Sequence, residues 1–161
     1  VSRAFVKEDG PEHDENPPEK PVSSLPNYVT SRGAKLLEAS EERIVTELAG
    51  YSGAQPDPAR RKRKRELERD LRYIRARLET AIPVPTTPME DVRFGARVLL
   101  RGDDGAERIL HIVGEDEAED GGEFVPWSGP FVQALFGFKA GQTLVWNAVE
   151  RWTVVRVEYP G

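Results

Sequence analysis

Six consecutive cations, Arg60-Arg61-Lys62-Arg63-Lys64-Arg65, form the strongest chemical signal in this 161-residue chain. Such side chains contact phosphate or carboxylate oxygens and give affinity without sequence specificity. Spread around a helix they repel one another unless anions are near, so a solvated face is the competing reading. A single carboxylate, Asp57, precedes the run and lies between Pro56 and Pro58. Magnesium is usually held by one or two carboxylates besides water and substrate. Asp57 alone offers little redundancy, and its simpler role is to cap the following helix. Glu115-Asp116-Glu117, with Glu119 and Asp120, lacks the spacing of a calcium loop and reads as a solvated acidic loop. The chain has two histidines, His13 and His111, and no cysteine. A histidine-based triad, a multi-histidine metal site, a thiol nucleophile and a disulfide framework are therefore not expected. No catalytic residue, metal site or cofactor is predicted. Trp127, Trp146 and Trp152 read as core or core-edge residues.

Two helices must carry the basic run and its preceding turn. The first starts near Thr30 or Ser31, either of which can accept a hydrogen bond from an exposed helix amide. It passes through Leu36, Leu37, Ile44, Val45 and Leu48 and stops at Gly50. The second begins after Pro58, where the missing N–H costs nothing. Its apolar residues Leu67, Leu71, Ile74 and Leu78 follow gaps of four, three and four, a coiled-coil seam. The Gly- and Pro-rich link 50–58 makes an antiparallel hairpin the simplest arrangement. Extended back toward the link, the seam meets Lys64 and Arg60, so the upper hairpin is polar and basic.

Pro83, Pro85 and Pro88 then form a stiff linker, and the periodicity changes to that of strands. Residues 97–101 and 109–113 flank Gly102-Asp103-Asp104-Gly105, a hairpin connection. Alternation from Thr153 to Tyr159 predicts a half-buried strand, and residues 130–136 a short helix ended by Gly137. The predicted fold class is α+β: an N-terminal antiparallel helical hairpin (coiled coil), then a small antiparallel sheet domain with one short helix. The predicted organisation is a disordered acidic tail over 1–26, the hairpin over 27–82, a Pro-rich linker over 83–89 and the C-terminal domain over 90–161.

Net charge is −5, but residues 59–87 alone carry +6 and acidic segments flank them. This asymmetry speaks about partners rather than fold. No apolar run approaches the ~18–20 residues that cross a bilayer. A cytoplasmic monomer with no membrane contact is expected.

Particular strings add a resemblance. Val92-x-Phe94-Gly95-Ala96-x-Val98, Asp104-Gly105, Ile112-Val113-Gly114-Glu115-Asp116-Glu117-Ala118, Gly129-Pro130, Ala134-Leu135-Phe136-Gly137, Ala140-Gly141 and Val157-Glu158-Tyr159 occur in that order. Preceded by Asn27-Tyr28-Val29-Thr30-Ser31-Arg32-Gly33-Ala34, they resemble the Gre family of bacterial transcription elongation factors over about residues 27–160. The resemblance implies an FKBP-like C-terminal domain that docks on the rim of the secondary channel of RNA polymerase. It also implies a coiled coil whose acidic tip helps hold a metal ion in the polymerase active site during transcript cleavage. The docking loop maps to Trp127-Ser128-Gly129-Pro130, with glycine where the family usually has serine. The family's cleavage-active members carry Asp and then Glu-Asn at the tip, whereas this tip, residues 50–58, holds Asp57 as its single acid.

The expectation is a non-enzymatic elongation regulator that binds the polymerase secondary channel without strongly stimulating cleavage. Arg60 to Arg65 would meet channel walls or RNA or DNA phosphates in the complex. One alternative is a cleavage-stimulating factor using Asp57. Another is a free nucleic-acid-binding module using the basic helix.

Overall fold

The computed structural model describes residues 15–160. The tail expected over 1–26 thus lies partly outside the described residues; its remainder, 15–26, has no helix or strand. Strand β1 (Tyr28–Val29) leads into helix α1 (Ser31–Ala49), and helix α2 (Pro58–Thr80) returns to strand β2 (Ile82–Pro83). Local chemistry sets these boundaries. Thr30 has extended backbone, and its Oγ1 accepts the Gly33 N–H at 2.9 Å. Asp57 does the same for α2, accepting the Ala59 N–H at 3.0 Å, with Pro58 at the first helical position.

Leu37 and Ile44 of α1 and Leu67 of α2 are buried in the hairpin, and Leu71, Ile74 and Leu78 are half-buried. Leu36 and Val45 turn outward, so the apolar stripe of α1 is narrower than its composition suggested. β1 and β2 pair in parallel, Tyr28 with Ile82 and Val29 with Pro83. The Ile82 and Val84 amides donate to the Asn27 and Val29 carbonyls at 2.8 and 3.0 Å, so the amide-less Pro83 interrupts no bond. The first residue of the expected linker therefore belongs to the clamp that closes the base of the hairpin.

The C-terminal domain holds β3 (Arg97–Gly102), β4 (Glu107–Val113), β5 (Phe124–Pro126), α3 (Pro130–Leu135), β6 (Thr143–Trp146) and β7 (Glu150–Glu158). They form one sheet in the order β5-β4-β3-β7-β6. Val98, Leu100, Leu110, Ile112 and Val154 point into a core that α3 covers with Val132 and Leu135. The sheet is antiparallel, as expected, across β4, β3, β7 and β6, while the edge strand β5 runs parallel to β4, pairing Ile112 with Val125. A tight turn cannot join parallel neighbours. The chain crosses back through loop 114–123, which carries the acidic cluster.

Candidate functional site

That crossing loop is where the two parts of the protein meet. Arg77 lies in α2 beside the seam, with its side chain 1% exposed. Its Nε donates to Asp116 Oδ2 at 2.6 Å and a terminal nitrogen donates to Asn27 Oδ1 at 2.8 Å. Glu115 Oε2 lies 3.5 Å from the same guanidinium. Asn27 returns a bond from Nδ2 to the Arg77 carbonyl at 2.7 Å. A buried guanidinium is tolerable only when paired in this way. On the α1 side, buried Glu117 accepts from Thr30 Oγ1 at 2.6 Å and from Arg32 at 3.0 Å. Thr30 thus serves the helix amide and the acidic loop with one hydroxyl. Tyr73 donates its phenol to Asp116. Burial and the Asp116 carboxylate push that phenol up to about 12.

The expected solvated acidic loop is therefore corrected. Glu115, Asp116 and Glu117 form a latch between the sheet domain and the hairpin, while Glu119 and Asp120 are exposed. Sequence reasoning missed Arg77 and Asn27. The available signal was a cation, Arg77, set beside the seam residues Ile74 and Leu78, with an acidic triplet elsewhere to complement it.

At the far end of the hairpin the cations are not a bare face. The Arg60 guanidinium stacks on Tyr51 at 4.6 Å and donates to the Gly50 carbonyl at 3.0 Å and Gln55 Oε1 at 2.9 Å. Arg61 donates to the Gln55 and Pro56 carbonyls at 3.0 and 2.7 Å. Arg63 grips Glu47 of α1 with two bonds, at 2.9 and 3.0 Å, which holds the Glu47 carboxyl below its usual range. Lys62 lies 3.9 Å from Glu66 and Lys64 3.8 Å from Glu68, one turn on. Arg65 lines a cleft on the outer face of α2. The first part of the run thus ties down the 50–58 turn by satisfying its carbonyls.

Asp57 is exposed, and one of its carboxylate oxygens is committed to the Ala59 amide. Among the described residues no three or more His, Asp or Glu side chains group as a metal site. The tip does not fit a divalent cation: one carboxylate caps a helix, and the neighbouring groups are cationic.

Residues 127–129 link β5 to α3, whose first residue is Pro130. Pro130 is exposed, while Trp127, Ser128 and Gly129 are half-buried. Trp127 packs edge-on against Tyr28 of β1, centroids 5.1 Å apart, and Ser128 Oγ donates to Glu115 Oε1 at 3.2 Å. Both residues therefore belong to the junction as well as to the loop. Gly129 caps α3 with no side-chain hydrogen bond. His111 stacks on Phe124 at 5.0 Å, and burial lowers its pKa.

Fold and site together define a two-part factor, a sheet domain joined to a helical hairpin through the Arg77–Asp116 latch. The family described as "Transcription elongation factor, GreA/GreB, C-term" matches residues 87–159. Transcription elongation factor GreB of Pseudomonas aeruginosa is 33% identical over 82% of this chain and 90% of its own length. GreB of Neisseria meningitidis serogroup B is 29% identical over 83% of this chain and 94% of its own. A solved GreA/GreB structure from Nitrosomonas europaea is 22% identical, covers 84% of this chain and 99% of that one, and gives a TM-score of 0.40. The chain belongs to the GreA/GreB family of transcription elongation factors.

Proposed function

We propose that this factor docks on the rim of the RNA polymerase secondary channel through residues 127–130 and places its hairpin in the channel without strongly stimulating transcript cleavage. The observation that carries this reading is the state of the tip. Asp57 spends a carboxylate oxygen on the Ala59 amide, and Arg60 and Arg61 bind the carbonyls of the same turn. A tip of this kind presents order and positive charge to the active centre rather than paired oxygen ligands. The factor would occupy the site of a cleavage factor as a monomer in the cytoplasm. No helix among the described residues is long and apolar enough to cross a membrane.

The decisive experiment is cleavage by a stalled, backtracked polymerase. Little or no stimulation is expected, together with displacement of an authentic cleavage factor. Robust cleavage that is lost in Asp57→Ala overturns the reading in favour of a cleavage-stimulating factor. Docking is probed best with Pro130→Ala. That residue is exposed, whereas Trp127 also packs on Tyr28, so its loss disturbs the junction.

A further inference from the structure

The outer face of α2, away from the seam, carries Lys62, Arg65, Arg69 and Arg72. Gaps of three, four and three place them on one stripe. It spans about 15 Å at the helical rise and lies opposite Leu67 and Leu71. A stripe of this kind on a bare helix would meet solvent. Here residues 15–20 lie along it. Glu15, Pro17 and Pro18 form one wall of a cleft whose other wall includes Lys62, Arg65 and Arg69. Glu19 seats its carboxylate in the fork of Arg72, with Nε donating to Oε2 at 3.1 Å and a terminal nitrogen donating to Oε1 at 2.5 Å. Next to it, Lys20 pairs with Asp70 at 3.0 Å, and Asp70 in turn accepts from Arg69. Pro17, Pro18 and Pro21 stiffen the strap, so little chain entropy is lost in laying it down.

A fork-to-fork arginine–carboxylate pair is the geometry that arginine also offers a phosphate. The α2 wall of the cleft has charged side chains at Lys62, Arg65, Glu66 and Arg69, with small Ala59 and Pro58 at its end. It has no large apolar or aromatic side chain on which a peptide anchor would seat. A sugar–phosphate backbone needs no such anchor, only cations in register.

We propose that residues 15–20 are a built-in competitor for a nucleic-acid backbone, which binds the stripe Lys62, Arg65, Arg69 and Arg72 when Glu19 leaves Arg72. The surface is distinct from the hairpin tip and does not depend on the polymerase reading. The strap lowers affinity for stray nucleic acid, and a strand held nearby at high local concentration displaces it. The pair is exposed on both sides, so the barrier is low and salt-sensitive.

The test uses the full chain and a short fluorescent oligothymidylate, with binding read by anisotropy at about 50 and about 200 mM salt. Glu19→Gln is expected to tighten binding about 2–5-fold at the lower salt, which corresponds to an exposed pair, and hardly at all at the higher. In an Arg72→Gln background the same change is expected to do nothing. No tightening by Glu19→Gln, or equal tightening with and without Arg72, overturns the proposal. Displacement of the oligonucleotide by poly-L-glutamate as readily as by unlabelled oligonucleotide overturns the phosphate assignment and points to an acidic protein. Both substitutions sit on exposed side chains, and unchanged thermal melts would confirm that folding is not what is being read.

Discussion

Arg77 of the hairpin and Asp116 of the sheet domain meet at 2.6 Å, with the arginine side chain 1% exposed. They are 39 residues apart in sequence. This contact, backed by Asn27 and Glu115, fastens the hairpin to the sheet domain.

Arg77→Ala leaves the Asp116 and Glu115 carboxylates without their buried partner. Losing charge-assisted hydrogen bonds to partly exposed carboxylates costs about 1.5–3 kcal/mol. The loss is expected as a lower urea midpoint, with weaker competition against a cleavage factor on polymerase. An unchanged midpoint would mean that water replaces the guanidinium without penalty.

Gly114 begins the crossing loop, and a Cβ there would lie 2.4 Å from the Tyr28 carbonyl oxygen. That neighbour is backbone and cannot rotate away. Gly114→Ala must push β1 off the loop, an overpacking cost of about 1–3 kcal/mol. Thermal melting should show the drop, and faster amide exchange at Ile82 and Val84 should locate it at the β1–β2 clamp. A melt that matches the parent would contradict the close approach.

The Tyr73 phenol is raised from 10.0 to about 12 by burial and by Asp116. A folded pKa above the unfolded one means that the protonated phenol favours the folded state. That contribution is fully present below pH 10 and is lost as pH rises toward 12. Stability should therefore fall across that window, and Tyr73→Phe should flatten the fall. Burial also raises the Tyr159 phenol, so ultraviolet titration of the variant should lose one late-ionising tyrosine and keep the other. Parallel stability curves for parent and variant would sink the assignment.

Asp57→Ala removes the cap of α2, at a cost of about 1 kcal/mol. The hairpin should fray at the tip and the melting temperature should fall slightly. Polymerase binding and the low level of transcript cleavage should stay nearly unchanged. A large fall in cleavage would restore Asp57 to a metal role.

Much of the hairpin was legible before any coordinates. Thr30, Pro58 and the 67–71–74–78 spacing act within a few residues of themselves, and such local rules hold wherever the chain goes. The β3–β4 hairpin and α3 were legible for the same reason, since turn residues and alternation are local. Six adjacent cations and one carboxylate at the tip were equally plain. What they bind is another matter. Arg60 and Arg61 spend themselves on carbonyls of their own turn, and Arg63 on Glu47 sixteen residues away. Sequence carries the charge of a side chain but not the position of its partner. The parallel β4–β5 pair, the β1–β2 clamp and the strap over Arg72 depend in the same way on where distant segments arrive. Glu117 shows the reason most simply. In the sequence it is one acid among five, fit for solvent. Only the fold carries Thr30, 87 residues earlier, to within 2.6 Å of it. Burial then makes that hydrogen bond and the Arg32 pair a condition for keeping a charge there.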